Sequence, residues 1–262
     1  MLAVLSPAKS LNLDPVAAPL PTTEPALMKD ASSLMRTTRN LSQKRIAELM
    51  SLSKDLAKLN YDRYRSFEVP FTPDNALPAA LTFNGDVYRG LRAREMSKDD
   101  LDWSQRHVAI LSGLFGVLRP LDLIQPHRLE MGTRLPTRRG KNLYDFWGDR
   151  VAKRLAEILD GHDDPTLVNL ASNEYFKAVE PKRLPGPVVE VVFHDWKKGT
   201  EPNVISFCAK FARGLMARHI IEQRIDRVEG LRDFAEERYR FQPQASNETT
   251  LVFGRKFVPA GG

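Results

Sequence analysis

The amino-acid sequence predicts one α/β domain over residues 1–262, a mixed sheet surrounded by helices. Short apolar runs at 2–5, 108–111 and 167–170 have the length and continuity of buried strands. Between them lie segments with apolar residues at helical spacing, several opened by a serine or a proline. Neither an internal repeat nor a long linker divides the chain, so strands and helices belong to one core.

The strand at 2–5 is stopped by Ser6-Pro7. The proline-rich stretch 15–25 is a surface loop, because proline fits neither a helix interior nor a central strand. Pro25 then opens a helix whose Leu27, Ala31, Leu34 and Met35 share a face. Ser42 and Ser53 are N-caps for helices over 43–50 and 54–65, and the short link Ser51-Leu52 forces a helical hairpin within 42–65. Residues 70–78 are loop, Phe83-Asn84-Gly85-Asp86 is a turn before an amphipathic piece ending near Arg94, and a polar helix covers 97–105. Beyond the strand at 108–111, residues 129–135 are a further strand candidate and 144–159 a single helix. Ser172-Asn173-Glu174 starts another helix behind the strand at 167–170. A strand over 187–193, the longest helix over 204–225 and a closing strand over 249–253 complete the series.

Composition narrows the function classes. With 42% hydrophobic and 27% charged residues the chain has an ordinary globular composition, which excludes wholesale disorder. Its apolar runs are too short to span a bilayer, and residues 1–7 lack the positive start and the length of a signal peptide, so a cytoplasmic protein is expected. Cys208 is the sole cysteine, which rules out an internal disulfide and a cysteine-based zinc site; it is expected as a small buried side chain. The five histidines are scattered, so no metal and no cofactor are expected. Lys plus Arg number 39 against 33 Asp plus Glu, a net charge of +6 that attracts polyanions and makes nucleic acid the expected partner.

The strand ends hold the candidate chemistry. The run 2–5 leads into Ser6-Pro7-Ala8-Lys9-Ser10, 108–111 into Ser112-Gly113, and 167–170 into Ser172-Asn173-Glu174. Ligands of α/β sheets sit outside the carboxyl ends of strands, where loops converge. If these strands are neighbours, Lys9, Ser112, Asn173 and Glu174 share a pocket for a small-molecule ligand. A lysine desolvated there can act as nucleophile or base, which makes Lys9, Asn173 and Glu174 candidate catalytic residues. The plainer alternative is a surface lysine and a first-turn carboxylate favoured by the helix dipole. Arg119 and Arg128 are candidates for an anion pocket, since a guanidinium forks onto phosphate or carboxylate. Their alternative is internal pairing, Arg119 with Asp122 and Arg128 with Glu130.

Other basic residues suit DNA. A helix starting at Ser53 presents free backbone N–H groups, with Lys54 and Lys58 beside them and Lys44 and Arg45 on the preceding helix. Such an arrangement can hold a DNA phosphate without reading sequence. The turn Ser51-Leu52-Ser53 has no glycine, unlike most helix-hairpin-helix modules. On the longest helix, Cys208, Phe211, Leu215 and His219 fall on one side, and Lys210, Arg213, Arg224 and Arg227 fall roughly opposite as a cationic outer face. Arg134, Arg138, Arg139 and Lys141 add a second basic run. His219 is expected to be a core histidine rather than a ligand.

Six stretches carry a family resemblance: Ser6-Pro7-Ala8-Lys9-Ser10-Leu11, Phe83-Asn84-Gly85-Asp86-Val87-Tyr88, the run 111–122 from Leu111-Ser112-Gly113 to Pro120-Leu121-Asp122, Arg128-Leu129-Glu130-Met131-Gly132, the run 169–176 around Ser172-Asn173-Glu174, and Ala212-Arg213-Gly214-Leu215-Met216. In order and across nearly the whole chain, they resemble the signature segments of the YaaA family of bacterial peroxide-stress proteins. The resemblance implies a cytosolic protein, induced under oxidative stress, that lowers damage from iron and peroxide. It also implies sequence-independent binding of duplex and branched DNA, through a basic cleft and a helix-hairpin-helix placed here at 42–65. The implied fold is a single compact α/β unit of unusual topology, and no catalytic residue is carried over. The alternative function is an enzyme acting on a nucleobase or nucleotide, with Lys9 and Glu174 in the pocket and Arg119 or Arg128 on phosphate. Direct iron sequestration lacks the ligand clusters it requires.

Overall fold

Leu2–Leu5 is buried along its whole length, as an unbroken apolar run requires, and it is an interior strand of a seven-stranded sheet. The structure, a computed structural model, describes residues 1–16, 19–197 and 201–256. Residues 17–18 of the expected surface loop lie outside the described residues. The sheet strands are β1 (Leu2–Leu5), β2 (Val108–Ser112), β3 (Gly116–Leu118), β4 (Leu167–Leu170), β5 (Val188–Trp196), β6 (Arg240–Phe241) and β7 (Thr250–Lys256). They lie in the order β6-β7-β5-β4-β1-β2-β3. Five run parallel; β3 and β6 are antiparallel to their neighbours. Leu5 of β1 is level with Ile110 of β2 and with Leu170 of β4, so β1 and β4 end together while β2 runs two residues further, to Ser112.

The flanking helices are α1 (Met28–Arg39), α2 (Gln43–Met50), α3 (Lys54–Ser66), α4 (Asp86–Leu91), α5 (Lys98–His107), α6 (Leu143–Trp147), α7 (Arg150–Leu159) and α8 (Ser206–Glu222). Ser42 caps α2 by accepting the Arg45 N–H at 3.2 Å, and Ser53 caps α3 through the Leu56 N–H at 3.4 Å. The two helices pack together as a hairpin. Ser51 ends α2 in the left-handed region, at φ 52°, the conformation that a glycine would adopt there more easily. Among the described residues no helix is long and apolar enough to cross a membrane.

Three sequence expectations need correction. Residues 129–135 have the burial alternation of a strand, with Leu129, Met131, Thr133 and Leu135 inside, but they join no ladder. Their backbone polar groups go elsewhere: the Gly132 N–H donates to Glu174 Oε1 at 2.9 Å and the Thr133 N–H to the Glu130 carbonyl at 3.0 Å. The single helix expected over 144–159 is broken into α6 and α7, because Gly148 closes the first at φ 49° and its N–H returns to the Tyr144 carbonyl.

The third correction concerns α8. It is a core helix, buried at Cys208, Ala209, Ala212, Gly214, Leu215, Met216, Ala217, Ile220 and Ile221, rather than a surface helix with a cationic outer face. Helix α4 crosses it in backbone contact. A Cβ on Gly214 would stand 1.8 Å from the Val87 carbonyl oxygen, and one on Gly90 2.2 Å from that of Phe211. Arg213 is half-buried by this packing, while Arg224, beyond the helix end, pairs with Asp100 at 2.7 Å. His219 packs edge-on against Phe234, with ring centroids 5.5 Å apart.

Candidate functional site

The order of connections fixes where a ligand can enter. The chain leaves β1 for β2 on one side, and leaves β4 for β5 on the other, so strand order reverses between β1 and β4. Crevices of α/β sheets form at such a point, outside the carboxyl ends. Here Ser6 and Ser172 meet: Ser6 Oγ accepts the Ser172 N–H at 2.8 Å and donates to Ser172 Oγ at 3.2 Å. A cavity of about 680 Å³ opens beside them.

Local pairing brings the remaining walls together. Ser10–Leu11 pairs antiparallel with Phe83–Asn84, which sets Lys9 on the same cavity as Asn84 and Asp86. The Tyr88 hydroxyl donates to the Ser6 carbonyl at 3.1 Å and anchors α4 to the end of β1. The close crossing of α4 and α8 then delivers Lys210 and Arg213. On the opposite wall the Tyr64 hydroxyl of α3 donates to the Arg128 carbonyl, tying the hairpin to the cavity.

Four cationic side chains (Lys9, Arg128, Lys210, Arg213) and three carboxylates (Asp86, Glu130, Glu174) line this space. Glu130 is shared by Lys9 at 3.0 Å and Arg128 at 3.2 Å. Glu174 accepts the Gly132 N–H, and the Tyr144 hydroxyl donates to the Glu174 carbonyl at 2.9 Å. Arg213 has no counter-ion at pairing distance among the described residues; burial lowers its guanidinium below the ordinary value, an effect that Glu190 offsets in part. The Nε atoms of Arg128 and Arg213 are buried without a hydrogen-bond partner. Burial lowers His127 to about 4, so the ring is neutral, with Nδ1 2.8 Å from the Gln125 carbonyl and the rings of Phe83 and Phe115 edge-on to it. The phenols of Tyr88 and Tyr175 are raised, chiefly by burial.

Lys9, Ser112, Asn173 and Glu174, expected to share a pocket, all line this cavity, and Arg128 joins them. Lys9 is 68% exposed and held by Glu130, so the desolvation that a nucleophilic lysine depends on is absent. Arg119 is not brought in. It pairs with the buried Asp122 at 3.3 Å, the internal alternative. Among the cations expected at DNA, Arg45 is paired with Glu48, Lys58 with Asp62 and Arg139 with Asp30. Lys44, Lys54, Arg134, Arg138, Lys210 and Arg213 have no such partner among the described residues.

Asn84, Asp86 and His127 line the cavity without having been singled out from sequence. The Asn-Gly-Asp turn was the available signal for the first two; His127 had none. Among the described residues no group of three or more His, Cys, Asp or Glu could hold a metal ion.

Residues 1–245 match the family model described as "Peroxide stress protein YaaA". The chain belongs to this family. Every residue lining the cavity falls within the span matched to the YaaA family. A UPF0246 protein of Burkholderia lata is 54% identical to the chain over 258 residues, covering 98% of this chain and 99% of the relative. UPF0246 proteins of Burkholderia vietnamiensis and Burkholderia mallei are each 53% identical over 258 residues, with the same coverage.

Proposed function

We propose that this peroxide-stress family member binds duplex or branched DNA without sequence specificity and thereby limits peroxide and iron damage. The observation that carries the reading is the set of exposed cations without carboxylate partners among the described residues, Lys44 and Lys54 on the hairpin and Arg134 and Arg138 on the segment that follows Arg128 and Glu130. Such cations are free to replace the counter-ions of a phosphate backbone, whereas Arg45, Lys58 and Arg139 are already neutralised. The bond from Tyr64 to the Arg128 carbonyl supports it further, because it ties the hairpin to a segment that lines the cavity.

Duplex affinity measured by fluorescence anisotropy should fall linearly on a log–log scale with salt, with a slope of about −0.9 per phosphate neutralised. The combined change Lys54→Ala, Arg134→Ala and Arg138→Ala should flatten that slope by roughly 1 to 3, and Lys58→Ala alone by less, since Asp62 holds it at 2.6 Å. An affinity that stays constant between low and physiological salt would overturn the reading. The second reading, an enzyme acting on a nucleobase or nucleotide, is favoured by Lys9, Asn173 and Glu174 lining one cavity. It predicts that Lys9→Met binds DNA normally yet fails to protect cells from peroxide. Normal protection by that variant would remove its motive.

A further inference from the structure

Arg128 and Arg213 each leave Nε buried without a partner, and both line one cavity. A guanidinium does not give up its charge in a protein, so one drawn partly out of water with no carboxylate beside it carries a desolvation cost that an anion on its remaining N–H groups offsets. Arg128 already shares Glu130 with Lys9; Arg213 has no carboxylate at pairing distance among the described residues. Arg213 is therefore the place where an anion completes the site, with Lys210 a helical turn before it on α8.

The rest of the wall is not that of a bare phosphate site. Asn84 and Asn173 present side-chain amides without hydrogen-bond partners among the described residues. Each amide offers a donor beside an acceptor, the pattern that matches the edge of a nucleobase. Phe83, Tyr88 and His127, all buried, give the wall an apolar aromatic backing. A volume of about 680 Å³ leaves room for a sugar and a base beside the anion.

We infer that the cavity receives one unpaired nucleoside 5′-phosphate unit, its phosphate on Arg213 and its base edge on Asn84 and Asn173. This rests on the DNA-binding reading for the source of the unit. A base stacked in a duplex cannot enter a cavity at the strand ends, so the unit that fits is one unpaired already or turned out of the stack.

Two measurements on the full chain test this. Calorimetric titration with deoxyadenosine 5′-monophosphate, deoxyadenosine and inorganic phosphate probes the cavity without any duplex. Anisotropy compares a fully paired duplex with the same duplex carrying one bulged adenosine. The monophosphate should bind about tenfold tighter than the nucleoside or inorganic phosphate, and the bulge should strengthen duplex binding by about tenfold. Arg213→Met keeps the apolar stem and should abolish both gains, so that the bulged and the fully paired duplex bind it equally. Should that variant fail to fold, Asn173→Ala, at an exposed position, should weaken both gains instead. Inorganic phosphate binding as tightly as the monophosphate overturns the inference, as does a bulge preference that survives both substitutions. Monophosphate binding with no affinity for any DNA would instead sink the DNA-binding reading and leave the cavity assignment standing.

Discussion

Ser6 and Ser172, 166 positions apart, are bonded at the point where strand order reverses: the Ser6 hydroxyl accepts the Ser172 backbone N–H at 2.8 Å. The bond closes the floor of the cavity by joining the ends of β1 and β4. Ser6→Ala leaves a partly buried N–H without its acceptor and should cost about 1–2 kcal/mol. The check is a denaturant titration, with the midpoint lowered and the slope unchanged. Ser6→Thr keeps the hydroxyl and should lie closer to the parent.

The crossing of α4 and α8 predicts an inverted response to a usually helpful change. Gly→Ala in an exposed helix stabilises by up to about 1 kcal/mol. At Gly214 the new Cβ would fall 1.8 Å from the Val87 carbonyl oxygen, a backbone atom that cannot yield without moving α4. Gly214→Ala should therefore destabilise by about 3 kcal/mol or more and lower the melting temperature. A melting temperature at or above that of the parent would show that the two helices separate freely.

His127 gives the molecule an acid limit. Its proton is disfavoured in the folded chain, at about 4, against an ordinary value of 6.5. Between those values the unfolded chain binds the extra proton, so stability falls as pH drops from about 6.5 to about 4 and levels off below. The contribution of this one ring is on the order of 3 kcal/mol. His127→Gln should flatten the dependence of the unfolding midpoint on pH across that window. An unaltered pH profile would place the acid sensitivity in other groups.

Much of the framework was readable in residue order. The strands β1, β2 and β4 follow from continuous apolar runs, and α2 and α3 from serine caps three residues before the N–H groups they bind. Lys9, Ser112, Asn173 and Glu174 could be placed on one pocket because each lies at or just beyond the carboxyl end of one of three neighbouring strands. Residues 129–135 misled, because burial alternates wherever an extended segment lies on a core, whether or not a neighbouring strand takes its hydrogen bonds.

The linear sequence by itself determined the α/β class, the apolar strands, the hairpin and the net positive charge, all of which depend on local spacing or on composition. Only the tertiary structure decided which charges remain free. Arg119, Arg45, Lys58 and Arg139 are paired, and Lys9 is held by Glu130, because partners distant or near in the chain happen to lie within reach. Arg213 was placed on an outer face by helical periodicity. In the folded chain α4 crosses α8 at Gly90 and Gly214, where side chains are absent, and turns that arginine to the cavity wall. Periodicity describes one helix alone, whereas burial and pairing are set by what packs against it.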